Sequence, residues 1–223
     1  MWTGFDLFVM SADAESSDLD IPYLIEATMS TREYKIIVSE PRFQDQLRPK
    51  GFGESQDSQY TLNFCDSLYL AYTKRLVIRN AENAVLDFEE LIRIMLKCDG
   101  NILTRFLVFR DLRGRGYVVK DGFGFGIDFR VYERGEYSKK PSKYVVYALN
   151  EGINLKIEEL YDLIDQTTKM GKNSVLAVIE RRGEVIYYKA SKFLLKENKF
   201  RQGIDITTSH VEPQDRTLES SFK

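Results

Sequence analysis

Histidine is nearly absent: the 223 residues hold one, His210, beside only two cysteines and one tryptophan. A lone histidine in a polar C-terminal stretch provides no Ser/His/Asp set and no zinc site built on paired histidines. Cys65 and Cys98 are too few for a disulfide framework and lack metal-ligand spacing. Both fall at apolar positions of expected helices, so both are expected to be buried thiols. No apolar run approaches the roughly 18 to 20 residues of a membrane span. Residues 1–17 lack the basic and long apolar regions of a secretory signal. The reading is a chain of the reducing cytoplasm with no membrane partner. No internal repeat or low-complexity segment is evident.

What is present is enough for a packed core. Hydrophobic residues make 43% of the chain and aromatics 13%, which excludes a globally disordered protein. The net charge of −2 hides an asymmetry. Residues 101–200 carry 19 Lys and Arg against 13 Asp and Glu, whereas residues 1–100 carry 10 against 17. A basic half suits a polyanionic partner, although solvated faces of unlike sign give the same count.

Taken in order, residues 1–33 read as an acidic extension, with a short strand possible from Phe5 to Met10. Residues 34–100 read as a small α/β domain. It has a strand near Ile36, a loop over residues 41–58 rich in Gln, Gly, Pro and Ser, and a helix carrying Phe64, Leu68 and Ala71. Asp87 is placed to cap a second helix, with Glu89 and Glu90 in its first turn. Residues 101–200 read as a domain of order αβββαββ. A helix from about Ile102 is stopped by Gly114 and Gly116, and a hairpin turns at Asp121-Gly-Phe-Gly. A strand from Lys143 is apolar enough to be central. A helix ends at Gly171, and a closing hairpin turns at Arg181-Arg182-Gly183. The fold class is α/β with a mixed sheet; residues 201–223 read as a polar tail.

The run Gly122-Phe-Gly-Phe-Gly joins two strands and opens no helix, so it reads as a hairpin and not as a phosphate loop. Asp121 is explained by turn chemistry. Asp128 is explained either as a buried partner for Arg130 or as one carboxylate of a metal site that lacks convergent companions. Tyr132 ends one strand and Lys172 leads into another, so both can emerge at one end of the sheet. There a tyrosine activated by a nearby cation can accept a proton, and a lysine can steady charge developing on a phosphate. Arg110, Arg113, Arg115 and Arg130 are candidate contacts to a polyanion.

The stretch Leu107-Val-Phe-Arg-Asp-Leu-Arg-Gly-Arg-Gly-Tyr-Val-Val-Lys, followed by Phe125-Gly-Ile-Asp-Phe-Arg-Val-Tyr-Glu-Arg-Gly, resembles the archaeal tRNA-splicing endonuclease family. The likeness continues through Ser142-Lys-Tyr-Val-Val and Gly183-Glu-Val-Ile-Tyr-Tyr, and covers about 160 residues from Tyr34 onward. The resemblance implies a restriction-endonuclease-like C-terminal fold. It also implies cleavage of precursor tRNA at bulge-helix-bulge sites without a metal or other cofactor, leaving a 2′,3′-cyclic phosphate and a 5′-hydroxyl. On the family pattern Tyr132 takes the place of the general base and Lys172 that of the transition-state cation. The general-acid histidine is replaced by Pro141; an alignment shifted by one residue puts Lys140 there. Asp165 stands where family members carry an arginine, and its charge is expected to repel RNA. The loop before Glu184 is mixed in charge where the family's is acidic. The resemblance therefore implies a structural subunit, or the degenerate repeat of a longer chain. Such a subunit binds precursor tRNA and pairs with a catalytic subunit, within a heterotetramer, through the strand from Glu184 to Lys189. An active enzyme with a degenerate site, and a free-standing RNA-binding protein, are the alternatives.

Overall fold

Ile25, Ala27 and Met29 are buried while Glu26 and Thr28 face outward, the period-two signature of a strand with one face in a core. In the computed structural model, which describes residues 21, 24–30, 33–124, 126–193 and 203–208, this strand β1 (Ile25–Met29) lies inside a six-stranded sheet. The expected acidic extension thus contributes a core strand. The strand possible from Phe5 to Met10 lies outside the described residues, as does His210.

β2 (Ile36–Ile37) pairs antiparallel with β1. The segment read as a loop instead begins with helix α1 (Pro41–Leu47), where Pro41 occupies the first turn and Phe43 and Leu47 pack inward one turn apart. A 3-10 turn (Arg48–Lys50) and strand β3 (Glu54–Gln56) follow. Next come β4 (Gln59–Leu62), α2 (Phe64–Tyr72), β5 (Leu76–Arg79), β6 (Val85–Leu86) and α3 (Phe88–Cys98). Asp87 caps α3 as expected: it accepts the Glu90 N–H, and Glu90 accepts the Asp87 N–H in return. The first sheet has the order β3-β4-β2-β1-β5-β6. Cys65 is buried on α2, but Cys98 is exposed, because the last turn of α3 runs past the core that Leu91 and Met95 enter.

The second half keeps the order expected for it. Helix α4 (Ile102–Gly114) leads into β7 (Val118–Gly124), β8 (Ile127–Tyr132) and β9 (Tyr144–Asn150). Helix α5 (Ile157–Lys169), β10 (Asn173–Ile179) and β11 (Val185–Phe193) follow. β9 is central, antiparallel to β8 and parallel to β10, so the sheet is mixed. The polar tail departs from expectation: residues 203–208 form a last strand, β12 (Gly203–Thr208), paired with β11 from Tyr188 to Phe193. Its sequence, Gly-Ile-Asp-Ile-Thr-Thr, alternates apolar and polar residues as an outer strand requires. The pairing edge expected from Glu184 to Lys189 is therefore already occupied from Tyr188 onward.

Helix α4 sits between the halves, with Ile102, Phe106, Val108, Phe109 and Leu112 buried. Phe109 packs at 5.8 Å on Tyr69 of α2 and at 5.8 Å on Phe129 of β8, so one core runs through both sheets. A polar clasp completes the junction. Gly51, Phe52 and Gly53 insert between the halves. Both glycines have positive φ, and a side chain at Gly51 would come within 2.4 Å of Val118. Arg113 donates to the carbonyls of Lys50 (2.8 Å) and Gly51 (3.2 Å) and lies 3.8 Å over the Phe52 ring. Lys120 Nζ donates to the Gly53 carbonyl at 2.9 Å, and the Gly53 N–H donates to Asp66 at 2.9 Å. Asp66, Lys120 and Arg113 are 0%, 3% and 8% exposed. Burial of this order is tolerable only because the charges face one another and the backbone between them.

Burial raises the Asp66 carboxyl from 3.8 to about 6, despite the opposing pull of Lys120, Arg113 and the Gly53 N–H. A carboxyl raised on folding stabilises the fold fully below about pH 4, and this contribution is lost as pH climbs through 6. Urea unfolding between pH 4.5 and 7.5 should therefore show the native chain losing more stability with rising pH than Asp66→Asn, in which the carboxyl can no longer ionise.

Candidate functional site

The backbone ladder sets the site. The Lys143 N–H donates to the Val131 carbonyl at 3.1 Å, and the Asn173 N–H donates to the Lys143 carbonyl at 3.1 Å. The C-terminal end of β8 thus lies level with the starts of β9 and β10. Tyr132 and Lys172 leave the strands flanking β9 there, about 10 Å apart at two strand spacings. Phe129 and Val131 pack into the core on the α4 side, so Arg130 and Tyr132 point to the α5 side. On β10, Leu176 packs beneath α5, and the same alternation carries Lys172 to that face. The structure therefore brings Tyr132, Lys172 and Arg130 to one face.

Lys172 Nζ donates to both the carbonyl and the hydroxyl of Ser142, each at 2.8 Å, and Ser142 is itself buried. Desolvation first, and then the Arg130 charge, lower the Lys172 pKa. The Tyr132 ring meets Tyr137 edge to face at 5.2 Å. Arg130 Nε donates to the Asp121 carbonyl at 2.7 Å, and its guanidinium lies 4.6 Å over the Phe123 ring. Lys172 Nζ is 5.7 Å from that same ring. Phe123 was not singled out from the sequence, although an aromatic residue inside a glycine turn is the available signal.

Pro141 is exposed in the connection between β8 and β9, one residue before Ser142. Lys140 is ion-paired to Glu136, which raises its pKa and makes it a weaker proton donor. The face thus offers a phenol, an ammonium and a guanidinium. The two cations can bind a phosphate, and the phenol can hydrogen-bond to it.

Other expected contacts lie elsewhere. Arg113 is buried in the clasp, so the expectation of an RNA contact there is corrected. Arg110 lies 5.6 Å over the Tyr72 ring, and Arg115 is ion-paired to Asp111 at 2.7 Å. Both belong to the α4 side of the sheet, away from Tyr132 and Lys172. Asp128 is not the partner of Arg130: it accepts the Ala148 N–H at 2.8 Å and pairs with Arg105 at 3.3 Å. Arg105 also binds Asp99 and Asp121, so one guanidinium serves three carboxylates. Asp165 is compensated by Lys169 and Lys192, both of which lower its pKa, so its charge does not stand alone against RNA.

The tRNA-splicing endonuclease of Methanococcus vannielii is 34% identical over 154 residues, covering 69% of this chain and 87% of that protein. The chain belongs to the tRNA-splicing endonuclease family. The family description "tRNA intron endonuclease, catalytic C-terminal domain" matches residues 102–187, from the start of α4 into β11. The tRNA-splicing endonucleases of Methanococcus maripaludis and Thermococcus onnurineus are each 30% identical. They cover 69% and 62% of this chain, and 87% and 79% of their own lengths. The family assignment and the mixed α/β architecture agree. No helix among the described residues is long and apolar enough to cross a membrane.

The two arginines predict opposite phenotypes. Arg113→Ala removes one of the two buried cations beside Asp66 and leaves the Lys50 and Gly51 carbonyls without their donor, and should destabilise the fold by on the order of 3 kcal/mol, read by urea unfolding. Arg130→Ala should leave folding nearly intact, weaken RNA binding, and lower the slope of log affinity against log salt by about one.

Proposed function

We propose that this chain is a structural, RNA-binding subunit of a tRNA-splicing endonuclease and pairs with a catalytic chain that performs the cleavage. The observation that carries this reading is the group at the general-acid position. Pro141 has no proton to give, and neighbouring Lys140 is held protonated by Glu136. Loss of a positioned acid typically lowers a rate about 10²- to 10⁴-fold. The retained Tyr132, Lys172 and Arg130 would instead hold the phosphate backbone of precursor tRNA. The Ser142 contacts of Lys172 fix the ammonium in place for that purpose. Pairing with the catalytic chain would use the first residues of β11, since β12 takes the rest of that edge.

The purified chain should bind a bulge-helix-bulge RNA in EDTA, with affinity falling as salt rises, and should not cut it. Cleavage should appear when a catalytic subunit is added. Cleavage by this chain alone, abolished in Tyr132→Phe, would overturn the assignment in favour of an active enzyme.

A further inference from the structure

Phe123 is a large apolar residue left 47% exposed at the tip of the β7–β8 hairpin, where burial would be the cheaper arrangement. The backbone holds it there. A side chain at the preceding Gly122 would come within 1.9 Å of the Ile127 carbonyl oxygen, so the turn tolerates only glycine at that point. The ring is also addressed by two cations from different elements, Arg130 at 4.6 Å and Lys172 at 5.7 Å. Each cation is anchored in turn, Arg130 on the Asp121 carbonyl and Lys172 on Ser142. A fixed, exposed aromatic face flanked by two fixed cations matches one nucleotide: a base for the ring and phosphates for the charges. A protein partner would be expected to bury such a ring among other apolar side chains, whereas two cations lie against this one.

We propose that Phe123 is a stacking platform that positions an unpaired nucleotide of the RNA beside Arg130 and Lys172. This rests on the RNA-binding role proposed above. Base stacking is sequence-tolerant, so the platform recognises an unstacked base and not its identity. That suits a bulge, where bases are free to leave the helix. Phe123 is a positioning residue and takes no part in bond making or breaking.

The test compares the full chain with Phe123→Leu and Phe123→Tyr. The probe is a bulge-helix-bulge RNA carrying 2-aminopurine in one bulge, read by fluorescence anisotropy and by 2-aminopurine emission. Leucine keeps an apolar side chain at this position but has no π-face, while tyrosine keeps both. Stacking predicts that Phe123→Leu binds about five- to hundredfold more weakly and loses the native emission change, whereas Phe123→Tyr keeps both. Equal behaviour of the native chain and Phe123→Leu would overturn the platform and leave the RNA-binding role standing. A native chain that binds no RNA would overturn both. A thermal melt of each variant shows whether a loss reflects folding.

Discussion

The structure depends on the clasp at Gly51-Phe52-Gly53, where three buried charges from separate elements grip one short loop. Asp66 comes from α2, Arg113 from α4 and Lys120 from β7. Any one of these charges alone would be too costly to bury. Together they satisfy the loop's backbone groups and place the Phe52 ring between Arg113 and Tyr69, stacked on the latter at 6.1 Å. The clasp fixes α4 against the first sheet, and α4 in turn presents Phe109 to β8. The position of the second sheet, and with it the end where Tyr132 and Lys172 emerge, follows from this contact.

From that frame the site is a consequence of alternation. β8 gives Phe129 and Val131 to the core, so Arg130 and Tyr132 face the other way. β10 gives Leu176 to the α5 side, so Lys172 joins them. The parallel pairing of β9 with β10 brings two strand starts level with one strand end, and the candidate face forms there without a dedicated loop. The arginines of α4 serve the other side of the sheet. Arg113 bridges to the first sheet, and Arg115 with Tyr187 engages Asp111.

Much of the second half was legible because its strands alternate cleanly between turn glycines and its helices carry unbroken apolar stripes. β1 was less visible, since Glu26 and the acidic residues before it mask the alternation of Ile25, Ala27 and Met29. Helix α1 was hidden by Gln, Pro and Gly, although Pro41 with Phe43 and Leu47 is a helix-start pattern in miniature. Arg113 by residue type reads as a surface cation, yet its spacing from Phe106 and Phe109 puts it on the apolar face of α4. A charge on such a face is a sign of a buried partner. That partner, Asp66, lies 47 residues away in the chain, and no local pattern reveals it. Tyr132 and Lys172 were legible as a pair because both lie at strand ends; Phe123 was not, because its exposure is a property of the fold.

The central claim is that a missing proton donor separates this chain from a nuclease whose remaining parts it keeps. Restoring the donor tests it most directly. Single-turnover cleavage of a bulge-helix-bulge RNA in EDTA should be undetectable for the native chain. Pro141→His should make it measurable, with a 2′,3′-cyclic phosphate product and a rate that depends on pH near the imidazole range. Equal rates for the two chains would contradict the account.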